Sequence, residues 1–181
     1  VNMATTVSIH NRSQTEVCTS LSTQSKHITT KDITSIAMMV AIIEACKIVL
    51  AGIPNVELTT FWVILFTLYD RKRTLLAIPV FILIEGAMFG FGLWWIMYLY
   101  AWPLLAIVTL LLRKMKGAWE WSMVSGIFGL MFGLLCAIPY IFTSGIYGAF
   151  AYWVAGIPFD LIHGIANFVI MLVLYTPLNK V

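Results

Sequence analysis

Long apolar stretches without charged residues constrain this chain more than any other sequence feature. One of them, from Trp94 to Leu112, contains no Asp, Glu, Lys or Arg. An α-helix rises about 1.5 Å per residue, so about 20 apolar residues cross the roughly 30 Å hydrocarbon core of a bilayer. With 61% hydrophobic and 10% charged residues, the chain also lacks the polar surface that a soluble fold requires. These observations predict an all-α integral membrane protein.

The first 30 residues differ in composition from the rest of the chain. Ser and Thr are frequent in residues 1–30 and aromatic residues are absent, which predicts a disordered polar tail. Val1 and Asn2 precede Met3 and look like a cloning remnant. A secretory signal, which needs a basic segment followed directly by an apolar run, is not predicted. Residues 31–178 are predicted to form one membrane domain.

Polar breaks and breaks rich in glycine and proline divide the apolar region into six predicted transmembrane helices. To within a few residues, the predicted spans are Ile33–Ala51, Leu58–Tyr69, Thr74–Phe89, Trp94–Leu112, Trp119–Ile138 and Pro158–Tyr175. Residues 139–157 are apolar and aromatic, but Gly145, Gly148 and Gly156 interrupt them. This stretch is predicted to form a structured external loop with room for some helix.

The lysine and arginine residues fall on alternate connections between the predicted spans. Ten of the eleven precede the first span, lie between spans two and three or between spans four and five, or follow the sixth. The eleventh, Lys47, lies within the first span. Because basic residues are enriched in cytoplasmic loops, this pattern predicts that both termini are cytoplasmic.

Several functional classes lack support in the sequence. The basic residues form no patch or stripe, which argues against a nucleic-acid partner. The phosphate-binding loop, the H-E-x-x-H motif and the G-x-S-x-G motif are absent. We therefore predict no catalytic residue and no enzymatic activity in this chain. Cys18, Cys46 and Cys136 form no C-x-x-C pair and are expected to be free thiols, and no metal site or cofactor is predicted.

Charged residues within the predicted spans include Glu44, Lys47, Glu85 and Asp160. Ionisable groups there are costly and normally face the protein interior or a water-filled cavity. Glu44 and Lys47 are three residues apart, so they could form a structural ion pair, or Lys47 could extend to the membrane surface. Glu85 lies towards the outer end of the third span. Asp160 lies in the first turn of the sixth span, where the helix dipole favours an anion.

A polar stripe follows one face of the sixth span. Asp160, His163 and Asn167 occupy positions i, i+3 and i+7, which share a helix face. We predict that this stripe faces inward. It would either form hydrogen bonds between helices or contribute one wall of a ligand pocket open to the outside.

Aromatic residues are concentrated towards the predicted outer side. They could form a belt that anchors the helices in the headgroup region, or a surface for a large, partly apolar ligand. The candidate ligand-binding residues are Asn55, Glu57, Glu85, Trp94, Trp95, Tyr98, Tyr147, Trp153, Asp160 and His163.

A stripe of small residues runs along the first predicted span. Ala37, Ala41 and Ala45 are four residues apart, a spacing that lets another helix approach closely. The helix that approaches could belong to this chain or to a separate membrane subunit.

The overall plan of the chain resembles a known family. Its 181 residues, six predicted spans, alanine stripe and aromatic outer side are similar to the substrate-binding S-components of energy-coupling-factor (ECF) vitamin transporters. Residues 51–57 (AGIPNVE), 89–95 (FGFGLWW) and 152–160 (YWVAGIPFD) resemble the cobalamin-specific subgroup of these S-components.

This resemblance implies a multi-pass protein of the bacterial cell membrane that captures cobalamin outside and delivers it inward. Family members assemble with a transmembrane coupling subunit and two ATPase subunits, so ATP hydrolysis is expected in the partners. Ala37, Ala41 and Ala45 would contact the coupling subunit. His163 could in principle bind cobalt, but its depth below Asp160 favours a polar packing role.

Two alternatives stay open at the level of sequence. The ligand could be another vitamin or precursor, such as riboflavin, pantothenate or a queuosine precursor. The chain could instead be a homo-oligomeric channel or secondary carrier in contact with lipid, although it contains no visible inverted repeat.

Overall fold

A computed structural model describes residues 28–178 and assigns them to five helical runs. They are α1 (Thr30–Leu50), α2 (Thr59–Tyr69), α3 (Arg71–Phe89), α4 (Leu93–Leu111) and α5 (Ala118–Leu178). The described residues contain no β-strand, which confirms the all-α prediction for this part of the chain. Residues 1–27, most of the predicted tail, lie outside it. The chain divides into a segment up to Lys31 and a compact unit that begins at Asp32, and the packing below is that of the compact unit.

Three of the five runs, α1, α4 and α5, are long and apolar enough to cross a membrane. α2 has 11 residues, a length of about 16 Å that is shorter than the bilayer core. α3 has 19 residues, and its first turn contains the basic residues Arg71, Lys72 and Arg73. Length and apolarity therefore support a helical membrane protein, while the predicted count of six spans stays a prediction.

α5 is one helical run that bends sharply at Gly145. This glycine has φ 70° and ψ 176°, a conformation that residues with a β-carbon rarely adopt. Residues 118–144 and 146–178 form the two arms of the resulting hairpin. The prediction of an external loop at 139–157 is therefore wrong, because this stretch is helical except at the bend. Gly148 and Gly156 lie within the helix, as glycine often does in transmembrane segments.

The two arms of α5 are antiparallel and lie close together where their residues are small. A β-carbon on Gly129 would lie 2.9 Å from both the Gly164 Cα atom and the His163 carbonyl oxygen. The Ser125 hydroxyl donates a hydrogen bond to the Asn167 carbonyl oxygen at 3.2 Å. Gly129 and Gly164 therefore allow the two arms to pack closely.

α4 lies at the centre of the core, packed against α2, α3 and α5. Trp102 on α4 is fully buried, and its ring contacts Phe81 of α3 and Phe128 and Phe132 of α5. The Trp95 indole N–H donates to the Ile82 carbonyl oxygen at 2.8 Å. These aromatic contacts hold α3 and α4 antiparallel.

The two ends of the helical bundle differ in charge. At one end, Arg73 pairs with Asp32 at 2.9 Å, and the Tyr69 hydroxyl donates to the Leu178 carbonyl oxygen at 3.4 Å. This end also carries the exposed basic residues Arg71 and Lys72, in the first turn of α3, and Arg113, Lys114 and Lys116, between α4 and α5. The opposite end contains the connections 51–58 and 90–92 and the bend of α5, and none of these carries a lysine or arginine.

α1 is held mainly through side chains. No Cα atom of α1 lies within 8 Å of a Cα atom in another described helix. Only Val40, Ile43 and Glu44 of this helix are buried. Its contacts include the Trp62 indole N–H, which donates to Cys46 Sγ at 3.3 Å. Most of the surface of α1 is consequently uncovered in this chain.

Candidate functional site

An open cavity of about 650 Å³ lies at the end of the bundle that lacks basic connections. Its wall is formed by the last turn of α1, residues 51–57, the end of α3 and the start of α4. Asn55 lines it with φ 60°, a left-handed conformation that Asn tolerates better than most residues. This turn reverses the chain between α1 and α2 and lines the cavity with loop residues.

Half of the candidate ligand-binding residues meet in this cavity. They are Asn55, Glu57, Glu85, Trp94 and Tyr98. The other five do not line it, and they are Trp95, Tyr147, Trp153, Asp160 and His163. The role of both sets in ligand binding stays a prediction.

Four of the five remaining candidates have surroundings away from the cavity. Trp95 packs against Phe91 and donates to the Ile82 carbonyl oxygen. Tyr147 is 88% exposed beside the α5 bend. Trp153 contacts Phe150 on the same arm. Asp160, buried at 8% exposure, accepts a hydrogen bond from the Gly133 backbone N–H at 2.9 Å, so it ties the two arms of α5 together.

An ion pair lies in the wall of the cavity. Lys47 Nζ is 2.5 Å from Glu85 Oε2 and donates to the Tyr98 hydroxyl at 3.3 Å. The same ammonium lies 5.5 Å from the Phe81 ring centre and 5.3 Å from that of Tyr98, within range of cation–π attraction. Sequence analysis offered Glu44 as the partner of Lys47, but the ion pair joins Lys47 to Glu85 on another helix.

Glu44 is a third carboxyl group beside this ion pair. It is buried, and its carboxyl group lies within hydrogen-bonding range of the Glu85 carboxyl group. Its charge interacts with those of Glu85 and Lys47. The region behind the cavity wall therefore contains more carboxyl groups than ammonium groups.

A second polar group connects the cavity to the polar stripe of α5. His163 Nε2 is 3.2 Å from Glu57 Oε1, and the Asn167 amide donates to the Thr60 hydroxyl at 3.2 Å. Burial opposes ionisation of Glu57, but the hydrogen bond and charge of His163 outweigh it and lower the carboxyl pKa below its usual value. As predicted, His163 and Asn167 face the interior, at 5% and 1% exposure.

Sequence analysis did not assign Lys47, Met88 and Phe89 to the candidate binding set, although all three line the cavity. Phe89 follows Glu85 by four residues and Met88 by three, so both lie near its helix face. Helical spacing around an intramembrane glutamate could therefore have identified them. The loop residues Ile53 and Val56, which also line the cavity, carry no such signal.

The stripe of Ala37, Ala41 and Ala45 is exposed along its whole length. No part of the described chain covers it. The cavity and this stripe are thus separate features. Lys47 lines the cavity near the end of α1, whereas the alanines follow the uncovered side of the same helix.

The fold and the cavity define an all-helical protein with apolar helices of membrane-spanning length. Within residues 28–178, no group of three or more His, Cys, Asp or Glu side chains could hold a metal ion. Comparisons with protein-family models, curated proteins and solved structures find no match to the chain. Its function is therefore inferred from the site and from the resemblance of its outer segments.

Proposed function

We propose that this chain is the vitamin-binding S-component of an energy-coupling-factor importer in a bacterial cell membrane. In this proposal it crosses the membrane six times with both termini in the cytoplasm, and the two arms of α5 are the last two spans. It captures cobalamin outside and delivers it inward together with a coupling subunit and two ATPases. The chain itself is not an enzyme.

The observation that carries the proposal is the cavity of about 650 Å³ at the end opposite the basic connections. If basic residues are cytoplasmic, the cavity faces outward. Its volume lies in the range of about 300–1,000 Å³ that is typical of ligand sites, and its aromatic walls suit a ring-bearing ligand. A corrinoid is larger than this, so we expect one edge of it to enter while the rest stays outside.

The exposed alanine stripe on α1 supports the proposed docking of a coupling subunit. Small side chains allow helix backbones to approach closely in a membrane. Because α1 has no close backbone neighbour among the described helices, its outer side is free to receive a partner helix.

Ligand capture is tested by mass spectrometry of small molecules released from the purified protein, followed by calorimetric titration with cobalamin. We expect a bound corrinoid and saturable binding. Co-purification of the full chain with a coupling subunit and two ATPases is the independent test of the transporter class. If the folded protein assembles with these partners but does not bind cobalamin, the transporter class is supported and cobalamin is excluded as its ligand.

The proposed topology predicts which residues are accessible from outside. In a variant without native cysteines, a cysteine at Asn55 should react with an impermeant thiol reagent added to intact cells. A cysteine at Lys72 should react only after permeabilisation. The reverse pattern would place the cavity on the cytoplasmic side and contradict capture from outside.

Replacing Ala41 by tryptophan tests the docking surface. Ala41 is exposed, so the larger ring should leave this chain folded and able to bind ligand, whereas co-purification with the coupling subunit and uptake should fall towards background. Leu83→Trp is the control, since Leu83 is also exposed, on the surface of α3. Unchanged uptake in the Ala41 variant, or an equal loss in the control, would reject α1 as the docking surface.

A further inference from the structure

The polar atoms of the cavity restrict the ligands that it can accept. Two carboxylates, Glu57 and Glu85, line it together with one ammonium group, Lys47. The inference rests on the proposed function, because it takes the cavity as the capture site. The question is whether the single ammonium is available to a ligand.

Lys47 is already engaged by the protein. Its ammonium contacts Glu85 Oε2 and the Tyr98 hydroxyl, and it lies against three aromatic rings, those of Phe81, Phe89 and Tyr98. A ligand anion would therefore compete with Glu85 for the same cation.

Glu85, in contrast to Lys47, can accept a further hydrogen bond. It is 1% exposed, and within the described part of the chain no group other than the neighbouring Glu44 carboxyl can donate a hydrogen bond to its Oε1 atom. A buried acceptor without a donor is unfavourable, and more so when it is charged. Glu85 lines the cavity, so a ligand N–H that enters beside Lys47 would supply a further donor to its carboxyl group.

The neighbouring charges strengthen this preference. Glu57 is paired with His163, and Glu44 places another carboxyl group behind the wall. Even if His163 is protonated, both cations already have a carboxylate partner: Lys47 is paired with Glu85 and His163 with Glu57. A carboxylate on the ligand would thus be desolvated next to like charges without a cation of its own, which is strongly unfavourable.

We propose that the cavity selects ligands that present N–H donors, as primary carboxamides or protonated nitrogens, and rejects the corresponding carboxylates. For a corrinoid, the part that enters is then an edge bearing carboxamide side chains, one of which donates to Glu85. Among the alternative vitamins, this selection disfavours pantothenate, whose carboxylate is ionised at neutral pH.

Matched ligands that differ in one group test this selection on the wild-type protein. Calorimetric titrations would compare cobalamin with its monocarboxylates, in each of which one peripheral carboxamide has been hydrolysed. Pantothenol and pantothenate form a second pair. We expect at least one cobalamin monocarboxylate to bind tenfold or more weakly than cobalamin. We also expect pantothenate to bind no more tightly than pantothenol.

The Glu85→Gln variant tests whether Glu85 causes the preference for carboxamides over carboxylates. Glutamine keeps the size of the side chain but removes its negative charge, so the difference between the amide and the acid should shrink in the variant. Glu120→Gln, at an exposed position near the basic end, makes the same change in net charge and should keep the wild-type difference. The wild-type comparison needs no variant and decides the proposal even if Glu85→Gln does not fold.

Equal binding of cobalamin and all its monocarboxylates, or tighter binding of pantothenate than of pantothenol, would overturn the inference. Either result would leave the transporter class intact. If none of these compounds binds to folded protein, the inference also fails, while co-purification with the coupling subunit and ATPases still decides the proposed function.

Discussion

Lys47→Met should destabilise the fold by about 3–5 kcal/mol, the range found when one partner of a buried ion pair is removed. The side chains of Lys47 and Glu85 are 19% and 2% exposed, so water replaces little of the lost interaction. Without the ammonium, the buried Glu85 and Glu44 carboxyl groups face each other in an apolar region. The effect should appear as a lower midpoint of thermal unfolding in detergent.

A second substitution separates the ion pair from side-chain packing. Lys47→Met combined with Glu85→Met removes both charges, and apolar replacement of a whole buried pair is often neutral or stabilising. The double variant should therefore be more stable than Lys47→Met alone. Lys114→Met, at an exposed position, should leave the unfolding midpoint unchanged. A double variant no more stable than the single one would indicate that Lys47 acts through packing alone.

The helices of this fold could be predicted where apolar runs end at charged or turn residues. The predicted span Leu58–Tyr69 differs by one residue from the observed α2, Thr59–Tyr69. A loop was wrongly predicted at residues 139–157 because glycine and proline usually mark breaks in the helices of soluble proteins. Within a membrane, an unpaired backbone group is so costly that helix persists through such residues, and only Gly145 leaves the helical conformation.

The candidate site could be predicted in part. Because burying a charge in an apolar span is costly, Glu44, Lys47 and Glu85 stand out in the sequence as residues that face the protein interior. Local spacing suggests Glu44 as the partner of Lys47, whereas the observed ion pair joins residues 38 positions apart. Such a partner depends on how α1 and α3 lie next to each other, which helical periodicity does not encode. For the same reason, sequence could not separate Trp94, which lines the cavity, from Trp95, which does not.

Gly129→Ala should destabilise the α5 hairpin by about 1–3 kcal/mol, the usual cost of overfilling a packed site. The added methyl group would lie 2.9 Å from backbone atoms of Gly164 and His163, so the arms themselves must separate. Because His163 contacts Glu57 in the cavity wall, separation of the arms should also weaken ligand binding.

The matched control is Gly156→Ala on the other arm of the same hairpin. A β-carbon there has no atom within 4 Å, and alanine favours helix over glycine by up to about 1 kcal/mol. Thermal unfolding should therefore show a lower midpoint for Gly129→Ala and an equal or higher one for Gly156→Ala. If both variants matched the wild type in unfolding and in cobalamin titration, the arms would not be in close contact at Gly129. The expected effect of this contact on ligand binding, through His163 and Glu57, would then be contradicted as well.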